Sequence, residues 1–364
     1  MKIEEIDRNF ATASVDGQKV IYKDVTTAPF SLEGFAWFGK DRRFARLPSG
    51  LTKEEVNEGA LFLGNQTAGG AVRFRTDSRI IVLRAELAYS SDMNHMPRAG
   101  SAGFDIYRGK GSRKVHFGTA QPSRDQKVLE VFLARLPESE ERAMNEWTVN
   151  FPLYGGAEKV EIGLEPGSRL EAPTPHKVKD PVLFYGSSIT QGGCASRPGN
   201  AYTSMLCRAV DAPQINLGFS GAGRGEKAVA ELIAGLKLSC FVMDYDYNAP
   251  TPEHLKETHE IFFRTIRKKQ PDLPVIIMSL CNVWPDRNRP TYENVLKRRA
   301  IILETYEHAV AAGDRKVWFI DGATLFGKDG RFECTVDGCH PNDLGFYRMY
   351  RTVLPVLRKA LKAL

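Results

Sequence analysis

Residues 181–193, PVLFYGSSITQGG, run a short apolar stretch directly into a Gly-Ser turn. Residues 182–185 carry no charge and do not alternate, so they read as a strand buried on both faces. Four further runs of the same kind follow, at 214–218 (QINLG), 239–245 (SCFVMDY), 274–280 (PVIIMSL) and 316–320 (KVWFI). Helical patterns separate them, roughly over 200–210, 226–236, 252–269 and 291–312, and a last one spans 342–362. Such alternation implies a five-stranded parallel sheet covered on both faces. With right-handed crossovers this is an α/β, doubly wound, three-layer αβα domain. In such sheets ligands bind beyond the carboxyl ends of the strands, so chemistry is sought there.

Upstream the character differs. Residues 71–76 (AVRFRT) alternate apolar and basic, and 80–88, 127–135, 147–153 and 159–164 are rich in aliphatic residues between Gly, Pro, Asn and Asp clusters. Short strands at this spacing predict an all-β sandwich or jelly roll. No helical pattern shows between 60 and 170. Around 165–180 the segment PGSRLEAPTPHKVKDP holds four prolines and little apolar content, which reads as a linker. The expected layout is a β domain over 1–170, a linker over 171–180 and an α/β domain over 181–364.

Composition narrows the function. The chain of 364 residues is 42% hydrophobic and 26% charged, with net charge +6. The basic stretches Lys297-Arg298-Arg299 and Arg264 to Lys269 sit in helical patterns. They read as solvated helix faces, and no nucleic-acid recognition motif accompanies them. No apolar run reaches the ~20 residues that span a bilayer, and no signal peptide is visible. The six cysteines lack any C-x-x-C pair, so they read as reduced thiols of a cytoplasmic protein without a zinc site. The expected partner is a small molecule, with no nucleic acid, membrane, metal or cofactor involved. A homo-oligomer is compatible with the sequence.

Four strand ends carry candidate chemistry. The first run ends in Gly186-Ser187-Ser188-Ile189-Thr190, where glycine allows a sharp turn and serine can be presented at a helix start. Alone, a Gly-Ser run is more often a loop. The second ends in Gly218-Phe219-Ser220-Gly221-Ala222-Gly223, where a glycine N–H can approach a substrate oxygen. Its spacing fits neither G-x-G-x-x-G nor a Walker loop. The third ends in Asp246-Tyr247-Asn248-Ala249-Pro250, and by itself an asparagine there reads as a turn residue. The last signal is Asp337-Gly338-Cys339-His340. An acid three residues before a histidine can hold its Nδ1–H and leave Nε2 to take a proton. His95, His116, His176, His254, His259 and His308 read as ordinary satisfied polar groups.

Taken together and in this order, the four segments resemble blocks I, II, III and V of the SGNH/GDSL hydrolase superfamily. The resemblance implies an SGNH/flavodoxin-like fold. It also implies a triad of Ser188, Asp337 and His340, with oxyanion donors from the Ser188 N–H, the Gly221 N–H and the Asn248 side chain. Gly103-Phe104-Asp105-Ile106-Tyr107 is similar to the Gly-x-Asp-Leu-Tyr motif of a subgroup with an N-terminal β-sandwich. Arg46-Leu47-Pro48 and Phe151-Pro152-Leu153-Tyr154 fit the same subgroup. Two positions depart from the pattern. Ser187 replaces the usual aspartate before the nucleophile, and Asp246-Tyr247-Asn248-Ala249 replaces Gly-x-Asn-Asp. An α/β-hydrolase shares the order Ser, Asp, His but requires Gly-x-Ser-x-Gly, and Thr190 stands where its second glycine should be.

The implied function is a serine esterase acting on a short-chain acyl ester, such as an O-acetyl group on a carbohydrate or small molecule. An acyltransferase with the same triad and an alcohol acceptor is one alternative. A catalytically inactive carbohydrate-binding protein is another, which the complete triad disfavours. Arg197, Tyr202 and Trp284 are candidate substrate contacts. No amphipathic lid that would suit a lipase is evident.

Overall fold

The structure is a computed structural model and describes residues 12–281 and 292–363. Its N-terminal half consists of two antiparallel sheets. One runs, in spatial order, Thr12–Val15, Gln18–Asp24, Gly156–Leu164, Ile80–Tyr89 and Val128–Arg135. The other runs Leu170–Glu171, Ala71–Thr76, Asn145–Asn150, Phe104–Arg108 and Val115–Ala120, with Ser31–Glu33 also paired to Ala71–Thr76. Val72, Phe74, Leu83, Ile106, Trp147 and Val160 pack together between them. The expected alternation of AVRFRT is present, but Arg73 does not meet solvent. It is 3% exposed and pairs with Glu33 and Glu146, because that face of the sheet abuts the second half of the chain. A four-residue helix at Arg98–Ser101 interrupts the predicted all-β stretch. It is too short to generate a helical period in the sequence.

The C-terminal half is built on five parallel strands: β1 (Val182–Gly186), β2 (Gln214–Gly218), β3 (Cys240–Asp244), β4 (Val275–Met278) and β5 (Val317–Ile320). Their spatial order is β2-β1-β3-β4-β5, which places a topological switch point beside β1. The helices are α1 (Ser188–Gln191), α2 (Tyr202–Val210), α3 (Lys227–Ala234), α4 (Pro252–Lys269), α5 (Tyr292–Ala311) and α6 (Asp343–Lys362). Alternate strand residues separate the two faces. Val182, Phe184, Val242 and Ile276 pack with Leu206, Phe346 and Val353 of α2 and α6. Leu183, Tyr185, Phe241 and Ile277 pack with Val229, Phe262 and Ile302 of α3, α4 and α5. Three layers result. Leu47, Val56, Ala60 and Leu63 from the N-terminal half enter this second core, so the two halves share buried surface. No helix among the described residues is long and apolar enough to cross a membrane.

Candidate active site

The turn after β1 is shaped by what glycine lacks. A Cβ on Gly186 would lie 2.1 Å from Thr190 Oγ1 and 2.3 Å from the Asp244 carbonyl oxygen. A Cβ on Gly218 would lie 2.3 Å from the Gln191 nitrogen. Only glycines at these two strand ends let α1 cross so close to the sheet. The Ser187 side chain caps α1 by accepting the Ile189 N–H at 3.2 Å. A serine therefore does this capping work where the family pattern has aspartate, both being good N-caps. Ser188 is the first helical residue, and its Oγ lies 2.9 Å from His340 Nε2.

His340 and Asp337 stand on the loop before α6, closed by a bridge between Thr335 and Pro341. One Asp337 oxygen accepts the backbone N–H groups of Cys339 (2.9 Å) and His340 (2.7 Å). The other lies 2.7 Å from His340 Nδ1, which fixes the tautomer and leaves Nε2 for the serine. Burial would raise the Asp337 carboxyl, but the His340 side chain and the two N–H groups outweigh it and bring it down to about 2. The His340 imidazole is pushed up to about 9, first by the Cys339 side chain and, against burial, by Asp337. The Cys194 N–H donates to the Pro341 carbonyl at 3.1 Å, fastening the histidine loop to the segment after the nucleophile.

The loop after β2 is latched onto the end of β1, with the Phe219 N–H donating to the Gly186 carbonyl at 2.9 Å. Gly221 has φ +69, a left-handed conformation that favours glycine. Asn248 ends a 3-10 turn, Asp246–Asn248, after β3 and donates one side-chain N–H to the Phe219 carbonyl at 2.7 Å. Its second N–H remains for another acceptor. Among the described residues neither the Ser188 nor the Gly221 backbone N–H has an acceptor. The three groups that the sequence offers as donors therefore stand just past the ends of β1, β2 and β3.

The expected substrate contacts fare differently. Tyr202 is wholly buried, and its hydroxyl donates to Asp244 at 3.0 Å. It is a core residue under the sheet, not a pocket wall. Asp244 itself is pushed up to about 8 by burial and then by the charge of Asp246. Arg197 points at the sandwich, where it donates to Asp105 at 3.0 Å and to the Tyr107 hydroxyl. Its charge is spent on holding the two halves together. Trp284 lies outside the described residues.

Four residues near the site received no site role from the sequence. Arg46 is 1% exposed and donates to the carbonyls of Gln66, Leu63, Asn216 and Gly218, the last two in β2. Gln191 accepts the Ser220 N–H at 3.0 Å, and the Tyr154 hydroxyl donates to the Ser188 carbonyl at 3.3 Å. His95, from the sandwich, has its ring centroid 5.5 Å from that of His340. The sequence reads it as an ordinary satisfied polar group, and the structure places it beside the Ser188–His340–Asp337 chain. Among the described residues His95, Asp337 and His340 also form a cluster whose metal-ligating atoms lie within 4.8 Å of one another. Two of the three already share a hydrogen bond.

A 2-1-3-4-5 parallel sheet with a Ser-His-Asp chain at its carboxyl edge, behind an N-terminal β domain, is the build of an SGNH hydrolase. The chain belongs to the GDSL-like lipase/acylhydrolase family, whose model matches residues 179–358, and residues 20–170 match the GxDLY domain described as the N-terminus of SGNH hydrolase-type esterases. Among solved structures it is similar to a Bacteroides ovatus protein described as a GDSL-like lipase. The two share 28% identity with TM-score 0.80, over 94% of this chain and 98% of that one. A salicylyl-acyltransferase from a tetracycline biosynthetic pathway has the same fold, with 20% identity, TM-score 0.76 and coverage of 94% and 99%. So does an acetyl xylan esterase from Butyrivibrio proteoclasticus, with 13% identity, TM-score 0.58 and coverage of 94% and 99%. Comparison with curated proteins returns no match.

Proposed function

We propose that the protein hydrolyses a short-chain acyl ester, an O-acetyl or similar group on a carbohydrate or small alcohol, through an acyl-enzyme on Ser188. The observation that carries the reading is the continuous chain from Ser188 Oγ through His340 to Asp337, at 2.9 and 2.7 Å. His340 takes the serine proton as Oγ attacks the ester carbonyl. The tetrahedral oxyanion is held by the Ser188 and Gly221 N–H groups and the Asn248 amide. Protonated His340 then gives its proton to the departing alcohol, and a water activated by the same imidazole clears the acyl group. Every step is a proton transfer or acyl transfer performed by these side chains. The carbohydrate part of the reading is supported by the shared fold with an acetyl xylan esterase. A second reading, transfer of the acyl group to an alcohol, uses the same residues and is supported by the shared fold with an acyltransferase.

The test is hydrolysis of p-nitrophenyl acetate, butyrate and octanoate by wild type and Ser188→Ala in parallel. Short-chain activity lost in the variant is expected. Equal activity in both would sink the assignment of Ser188. Acetylated xylo-oligosaccharides, with and without an added acceptor alcohol, then separate hydrolysis from transfer by product analysis.

A further inference from the structure

We propose that His95, carried by the N-terminal β-sandwich, contacts the alcohol portion of the ester and sets selectivity for it. The proposal rests on the reading of Ser188 and His340 given above. Met93 and Met96 pair as an antiparallel bridge, so Asn94 and His95 form the tip of a tight turn. The turn is anchored at its base. Met96 is 4% exposed and buried in the α/β core with Cys194 and Ala195, and Met93 packs against the same cluster. A Cβ on Gly100, just beyond, would lie 2.1 Å from the Ala195 carbonyl oxygen. Asp92 pairs with Arg98 at 3.1 Å and with Arg124 at 2.5 Å. A partly exposed imidazole is therefore held on a fastened turn, at 62° to the His340 ring.

The direction of the contact matters. The oxyanion donors stand on the loops after β1, β2 and β3, whereas His95 stands beside the imidazole that returns a proton to the leaving oxygen, with a ring nitrogen also within 4.8 Å of Asp337. A group beside that imidazole meets the alcohol as it departs. His95 Nδ1 lies 3.1 Å from Asn94 Oδ1. Among the described residues its Nε2 has no partner, and it faces solvent as a hydrogen-bonding group for a hydroxyl of the alcohol. A packing role alone would not require a polar ring on an anchored turn at this position.

The test uses esters that share one acyl group, acetyl, on three alcohols: p-nitrophenol, ethanol and a xylo-oligosaccharide. All three pass through the same acyl-enzyme, so deacylation is common and only acylation sees the alcohol. His95→Ala is expected to lower kcat/KM for the acetylated sugar about tenfold relative to p-nitrophenyl acetate, the value of one lost hydrogen bond. The deacylation rate from p-nitrophenol burst kinetics should stay unchanged, and His95→Asn should recover part of the loss. An unaltered melting temperature checks that the exposed substitution leaves the fold intact. An equal change for all three esters, or no change, overturns the proposal alone. Activity that survives Ser188→Ala overturns both this proposal and the reading beneath it.

Discussion

Asp105, a wholly buried carboxylate of the β-sandwich, accepts a hydrogen bond from the Arg197 guanidinium at 3.0 Å, in the loop that follows the nucleophile helix. The same carboxylate takes the Gly199 N–H at 2.8 Å and the Asn150 amide at 2.7 Å. Two residues on, the Tyr107 ring receives the Arg208 guanidinium at 4.5 Å and that of Arg197 at 5.4 Å. The Gly103-Phe104-Asp105-Ile106-Tyr107 motif is thus a clasp between the two halves of the chain.

Asp105→Ala leaves a partly buried guanidinium and a backbone N–H without their acceptor. It should lower the unfolding free energy by about 3 kcal/mol, as breaking a buried ion pair does, and urea denaturation measures it. Arg197→Ala should cost at least as much, because it strips the counter-charge from the wholly buried Asp105 carboxylate while the arginine itself keeps 21% exposure. A large rise in KM with unchanged stability in Arg197→Ala would return Arg197 to the substrate.

Tyr202→Phe removes only the hydroxyl that donates to Asp244. Stability should fall by about 1 kcal/mol, while kcat/KM on a soluble acetyl ester stays close to wild type. Denaturation and steady-state kinetics on the same preparation decide between this core role and a pocket role.

The pH profile follows from His340. The base must be neutral to accept the Ser188 proton, and its imidazole is pushed up to about 9. Activity should therefore climb through the alkaline range instead of levelling off near the ordinary histidine value of 6.5. The Cys339 side chain is the largest contributor, so Cys339→Ala should move the midpoint of kcat/KM downward. A raised histidine also stabilises the fold. Its contribution is complete below pH 6.5, the unfolded value, and is lost as pH rises through about 9. A profile with its midpoint near 6.5 in both wild type and variant would contradict this account.

Asn248→Ala should reduce kcat by about 3–4 kcal/mol of transition-state stabilisation and change KM little, as loss of one oxyanion donor does. Gly221→Ala meets no atom within 4 Å of its new Cβ, but it must hold φ at +69. The expected result is a folded protein, about 1–2 kcal/mol less stable, with reduced kcat from a displaced N–H. Rapid kinetics and thermal melts separate the two effects.

Arg46 is a buried cation held by four carbonyls and by the Phe219 ring 4.8 Å away, its guanidinium pushed down to about 10 by burial. Arg46→Met keeps the stem but strips hydrogen bonds from four carbonyls, which should cost about 3 kcal/mol or more. Because two of those carbonyls belong to β2, one of them at its end, activity should fall along with the melting temperature.

Much of the architecture was legible because burial on both faces leaves a mark along the chain. The five strands of the α/β half are short apolar runs, and glycines follow where α1 needs close approach. The Ser188, Asp337 and His340 assignments were accessible because each sits at a strand end or on the last loop within a short local pattern. Six strands of the described sandwich lie outside the five runs read from the sequence, three of them for plain reasons. Ser31–Glu33 is too short for a period, and Val115–Ala120 (VHFGTA) is mostly exposed. Thr12–Val15 has only four residues.

By itself the sequence determined the layer order and marked Ser188 and the acid-histidine pair as candidates, since these depend on periodicity and on residues close in the chain. Only the tertiary structure decided what Arg197, Tyr202, Arg46 and His95 do. Each acts through a partner far away in sequence, 92 residues from Arg197 to Asp105 and 172 from Arg46 to Gly218. Whether a polar side chain meets substrate, core or the other half of the molecule is set by the surface folded against it, and no local pattern encodes that surface.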